Sequence, residues 1–125
     1  MEDAQKKLEN ELSSFKNTQK EFQKAVATRQ QLDAQLNENQ IVKEELDRLP
    51  ADRKVYKAIG PALIKTEIVE AKQNVTKRID YINNEIKRSD DLIVSLEKKQ
   101  DSHREALQRL QQQYQQAKMK AAMKA

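Results

Sequence analysis

The only glycine and both prolines of this 125-residue chain fall between positions 50 and 61, as Pro50, Gly60 and Pro61. Everything before and after that stretch lacks the two residues that most readily break a helix. Two long uninterrupted arms follow, with a connector between them. Pro50 disfavours α geometry at Leu49 and ends the first arm. Thr66 is the expected cap of the second arm, with Glu67 and Glu70 near its positive end. Charged residues make up 35% of the chain and aromatic ones 4%. That composition suits long helices better than a closed globular core.

Periodicity supplies the packing. Steps of 4 and 3 from Val75 meet Ile79, Ile82, Ile86, Ser89, Ile93, Leu96, Gln100, His103, Leu107, Leu110, Tyr114, Ala117 and Ala121. All but Ser89, Gln100 and His103 are apolar, aromatic or alanine, the heptad stripe of a coiled coil. In the first arm the apolar residues trace Leu8, Leu12, Phe15, Gln19, Phe22 and Val26. Two steps of three, Val26 to Arg29 to Leu32, then shift the phase as a stammer does, before Leu36, Val42, Leu46 and Leu49. Two helices on a short connector hide their stripes on each other by folding back. The expected fold is mainly α, a long antiparallel two-helix coiled coil with a short β-hairpin at the connecting end. A single domain over 1–125 is expected, with helices over 1–49 and 67–125, a connector over 50–66, and arms roughly 70–80 Å long at 1.5 Å per residue.

The connector reads as two strands. Val55, Tyr56 and Ile59 precede Gly60-Pro61, and Ala62, Leu63 and Ile64 follow it, a β-branched and apolar pattern around a turn. An isolated two-stranded hairpin is marginal in water, and its open edges invite another chain. Val55, Tyr56, Ile59, Leu63 and Ile64 are therefore the expected oligomerisation residues.

Catalysis has little material to work with. The chain has no cysteine and a single histidine, His103, whose place on the stripe suits a register-setting polar layer with Gln100. Asp90 and Asp91 are adjacent on a helix and diverge, and one glycine cannot build a phosphate-binding loop. The expectation is a non-enzyme without catalytic, cofactor-binding or metal-ligating residues. Met1-Glu2-Asp3 is too acidic for a signal peptide, and no apolar run approaches the ~18 residues of a membrane span, so a cytoplasmic location is expected.

The net charge is +4, and no acidic residue follows Glu105. A basic end of this kind could meet RNA, an anionic membrane or an acidic protein. Interleaved charges and the lack of aromatics among the Lys and Arg residues argue against nucleic acid, and no membrane partner is expected. The two termini of an antiparallel hairpin share one tip, where helix ends fray. Leu8, Leu12 and Phe15 near one terminus, with Leu107, Leu110, Tyr114, Met119 and Met123 near the other, are apolar groups that this tip can offer to another chain.

Val55-Tyr56-Lys57-Ala58-Ile59-Gly60-Pro61-Ala62-Leu63-Ile64-Lys65 resembles the strand-forming signature of β-class prefoldin subunits. The stretches Gln40-Ile41-Val42-Lys43-Glu44-Glu45-Leu46 and Lys77-Arg78-Ile79-Asp80-Tyr81-Ile82 extend the resemblance, which is dense from about residue 30 to 90. The resemblance implies an ATP-independent co-chaperone, a hetero-hexamer of two α-class and four β-class subunits whose hairpins form a platform for coiled-coil tentacles. It also implies the partners: other prefoldin subunits, unfolded clients such as actin and tubulin, and the cytosolic group II chaperonin, with Leu8, Leu12, Phe15, Leu107, Leu110, Tyr114, Met119 and Met123 as the expected client-binding residues of the tip. The main rival is an antiparallel coiled-coil spacer or adaptor, followed by an RNA-binding coiled-coil arm.

Overall fold

The structure, a computed structural model, describes residues 2–50, 52–53, 55–59 and 62–124, with the backbone alone described at Lys57, Ala58, Ile59, Leu63 and Ile64. The elements are helix α1 (Glu2–Arg48), strands β1 (Val55–Ile59) and β2 (Ala62–Thr66), and helix α2 (Ile68–Lys124). The fold is therefore the expected one: two long helices joined through a two-stranded antiparallel hairpin. Two compact units divide the chain. One comprises Met1–Ala27 with Asp90–Ala125, the other Thr28–Ser89.

α1 stops at Arg48, where the Leu49 amide donates to the Leu46 carbonyl at 3.2 Å and tightens the last turn. The Arg53 amide then donates to the Pro50 carbonyl at 3.0 Å and turns the chain toward β1. The strands pair from Val55 with Thr66 to Ile59 with Ala62. The turn at Gly60-Pro61 lies outside the described residues. Thr66 ends β2, paired with Val55. Glu67 takes the cap position instead: its carbonyl accepts the first helical bond, from the Ala71 amide, at 2.9 Å.

Along α2 the buried and half-buried side chains follow the expected stripe from Val75 to Ala117, while Ala121 is exposed. The stripe of α1 differs from the one its apolar residues suggest. Leu12 is 42% exposed, and Gln19 and Val42 are also exposed. The shielded positions include Ala4, Leu8, Glu11, Phe15, Thr18, Phe22, Ala25, Arg29, Leu32, Leu36, Asn39 and Leu46, an alternation of fours and threes apart from the exposed Lys43, with Val26 half-buried beside Ala25. There is no stammer. A regular heptad keeps one face inward without overwinding, and α1 maintains it by placing polar residues on the seam.

Those polar residues are satisfied. In the unit formed by Met1–Ala27 and Asp90–Ala125, His103 Nδ1 lies 2.5 Å from Glu11 Oε1. A carboxylate only accepts, so the ring N–H donates. Thr18 is 2% exposed, and its hydroxyl donates to the Ser14 carbonyl at 3.0 Å. Counted from the Glu11–His103 pair, the antiparallel register sets Thr18 across from the buried Leu96. His103 thus sits in a polar layer as expected, but its partner is Glu11 on the other helix, not the expected Gln100. Removing one member should cost more than removing both, since a lone half-buried polar group keeps its desolvation penalty. Glu11→Ala is expected to lose about 1–2 kcal/mol, whereas joint Glu11→Leu and His103→Leu replacement should be neutral or stabilising. Urea denaturation of the four species in a double-mutant cycle checks this. Additive losses would show that the pair does not couple.

In the Thr28–Ser89 unit, Leu46, Ile68, Val75 and Ile82 are the buried apolar side chains. Lys72 Nζ and Asp47 Oδ1 approach to 3.8 Å across the two helices, an exposed pair of small energetic weight.

Candidate functional site

Two regions carry the functional expectations, and each belongs to one unit. In the Thr28–Ser89 unit the hairpin consists of only two strands, so each keeps one edge without a ladder partner. Val55 is half-buried and Tyr56, the next residue, points to the other face and is 56% exposed. A large aromatic ring held in water on a short strand is the kind of group an assembly interface covers. Ile59, Leu63 and Ile64 lie on the paired strands, but their side chains lie outside the description.

An open cleft of about 310 Å³ sits where the hairpin meets the helices, lined by Val42, Leu46, Val55, Tyr56, Thr66, Ala71, Asn74, Val75 and Arg78. Periodicity gave no warning of it. Its walls come from four elements brought together only by the fold, and Arg78 and Asn74 stand beside the heptad stripe rather than on it.

In the other unit, the eight expected client-binding residues separate into two groups. Leu8, Phe15, Leu107, Leu110 and Tyr114 are half-buried on the seam, whereas Leu12, Met119 and Met123 are exposed. The guanidinium carbon of Arg104 lies 5.9 Å from the centroid of Phe15 and covers part of its ring. Leu12 owes its exposure to Glu11, whose pairing with His103 turns the neighbouring residue outward. The sequence held that signal: Glu11 is spaced by three and four from Leu8 and Phe15, at the level where the opposite stripe carries its only histidine. Around Met119 and Met123, the residues Arg109, Lys118, Lys120 and Lys124 are all exposed, with no acidic residue beyond Glu105. This end offers apolar groups in a basic setting.

Among the described residues, no group of three His, Cys, Asp or Glu side chains is placed to hold a metal ion. No described helix is long and apolar enough to cross a membrane.

Comparison with known proteins extends the picture. The prefoldin subunit family profile matches residues 3–114. Mouse prefoldin subunit 6 is 46% identical over 113 residues, covering 90% of this chain and 89% of its own. The probable prefoldin subunit 6 of Drosophila melanogaster is 47% identical over 110 residues, 88% of each chain. Prefoldin subunit 6 of Arabidopsis thaliana is 43% identical over 113 residues, 90% of this chain and 88% of its own. Among solved structures, the prefoldin beta subunit from Thermococcus strain KS-1 shares the fold with a TM-score of 0.58 and 24% identity, covering 88% of this chain and 90% of that one.

Proposed function

The chain belongs to the prefoldin family, and from that premise we propose that it is one subunit of a hexameric, ATP-independent co-chaperone of the cytoplasm. It works as a single prefoldin-like domain over residues 1–125. Its hairpin joins it to the other α-class and β-class subunits, two and four in all as the family resemblance implies. Its coiled-coil end holds unfolded chains such as actin and tubulin for delivery to the cytosolic chaperonin. No bond of the client is made or broken, so the chain acts without catalysis.

The observation that carries this reading is the exposure of Leu12, Met119 and Met123 in a polar, basic setting. A spacer would be expected to seal its apolar stripe, whereas a holding protein needs apolar groups that remain available. Methionine suits varied clients because its side chain is flexible and polarisable. One such end buries little surface, so binding by one subunit is weak. Several ends around a common space raise it through effective concentration. The lysines add attraction for acidic clients, a contribution that falls with salt.

The test is a subunit lacking residues 1–12 and 112–125, co-assembled with its partner subunits and presented with unfolded actin. Incorporation should be normal and suppression of actin aggregation partly lost, with the difference from the full chain narrowing at high salt. Full protection by the truncated subunit at low and high salt alike would refute the assignment of the tip.

A further inference from the structure

The cleft at the base of the hairpin has a composition that specifies what fits it. Val42, Leu46, Val55, Ala71 and Val75 make it apolar, and Tyr56, Thr66 and Asn74 add polar groups. Among the described residues Arg78 is the one charged group in its lining, and no carboxylate lines it. Arg78 is exposed and makes no ion pair with any described residue. A guanidinium at the rim of an apolar cleft recognises an anion attached to an apolar body, and it takes a carboxylate in bidentate geometry.

The location of the cleft selects the class of partner. Val55 and Thr66, which line it, form the helix-proximal rung of the hairpin, and Tyr56 belongs to the next. Each strand has one free edge. A strand added along either edge therefore ends beside the cleft and delivers its last side chains there. In strand addition, main-chain hydrogen bonds supply affinity while a pocket for a side chain supplies specificity. A volume of about 310 Å³ is at the small end of ligand sites and accommodates one large side chain with its neighbour.

We propose that this cleft is the specificity pocket of subunit assembly: it receives an apolar side chain from a strand that a partner subunit adds to the hairpin, while Arg78 pairs with a carboxylate one or two residues from it. The proposal rests on the hairpin being the assembly element, and adds which neighbour is accepted and through which groups. Partner chains with lysine or arginine in place of the carboxylate are rejected, because they would bring a like charge against Arg78.

Arg78→Glu and Arg78→Lys variants are co-expressed with the other prefoldin subunits of the same organism, with Leu63→Asp as a hairpin variant three rungs along the strands from the Val55–Thr66 pair. A photo-crosslinking residue at Val42 reports on the occupant. Arg78 is exposed, so helicity by circular dichroism should be unchanged in both Arg78 variants. Arg78→Glu should weaken assembly at least tenfold, Arg78→Lys should weaken it less because it keeps the charge but not the bidentate fork, and the Val42 crosslink should map to a partner peptide with an apolar residue and a nearby Asp or Glu. Undiminished assembly of Arg78→Glu, alongside failure of Leu63→Asp, would overturn the cleft and leave the hairpin reading standing. Undiminished assembly of both would remove the hairpin reading as well. A crosslinked peptide without a carboxylate within two residues of the apolar side chain would also overturn the proposal.

Discussion

Tyr56→Asp is expected to exclude the chain from any multi-subunit assembly while leaving its helices folded. The separation follows from where Tyr56 lies. It is 56% exposed on β1, so the isolated chain already keeps much of the ring in water and loses little when the ring is removed. Among the described residues, the buried apolar side chains of the Thr28–Ser89 unit, Leu46, Ile68, Val75 and Ile82, belong to the helices. On the proposal that the hairpin is the assembly element, the same position is covered in the complex, and an aspartate there would be a desolvated charge. Leaving a buried charge without a partner costs about 3–5 kcal/mol. At 1.4 kcal/mol per decade this amounts to on the order of a hundredfold or more in affinity. Circular dichroism and sedimentation of the variant with its co-expressed partner subunits measure both halves. Equal helicity with loss of the large species is the expected result. A complex of unchanged size and abundance would show that the Tyr56 face of the hairpin is not part of the interface.

The two helices were unequally legible, for a physical reason. On α2 most apolar residues fall on one phase, with Tyr81, Leu92 and Val94 off it and exposed, and the stripe read from the majority is the one that is shielded. On α1 two phases compete. Leu12 and Val26 support one; Thr18 and Ala25 lie on the other, with Glu11. Hydrophobicity alone favours the first and must invoke a stammer to reconcile it with Leu32. The fold takes the second, because His103 on α2 offers Glu11 a partner and Thr18 finds the Ser14 carbonyl. Heptad counting on one helix cannot weigh a partner 92 residues away. The hairpin was legible because β-branched residues surround the sole glycine. The cleft beside it was not, since Val42, Tyr56 and Arg78 converge only in three dimensions.

The competing phases of α1 are separated by two alanine substitutions of the same chemical size. Leu96 is 5% exposed, stands across from Thr18, and with Ala25 is one of two buried apolar side chains among the described residues of its unit. Leu96→Ala removes its contacts and leaves a cavity that two straight helices cannot easily close. Such changes cost about 2–5 kcal/mol, against a total stability of roughly 5–15 kcal/mol for an ordinary domain. A melting temperature lower by roughly 10 °C or more is expected. Amide exchange should accelerate first in residues 2–27 and 90–124, where Leu96 packs. Leu12→Ala is expected to behave differently. At 42% exposure Leu12 has little contact to lose, and the change should remain within about 0.5 kcal/mol of the parent, aided by the higher helix propensity of alanine. If Leu12 instead lay on the seam, as a stripe drawn through the apolar residues of α1 requires, its truncation would be about as damaging as that of Leu96. Comparable losses in urea denaturation would restore that stripe and displace Glu11 from its pairing with His103. A near-silent Leu12→Ala beside a severe Leu96→Ala leaves Leu12 outside the seam and free, with Met119 and Met123, to meet another chain.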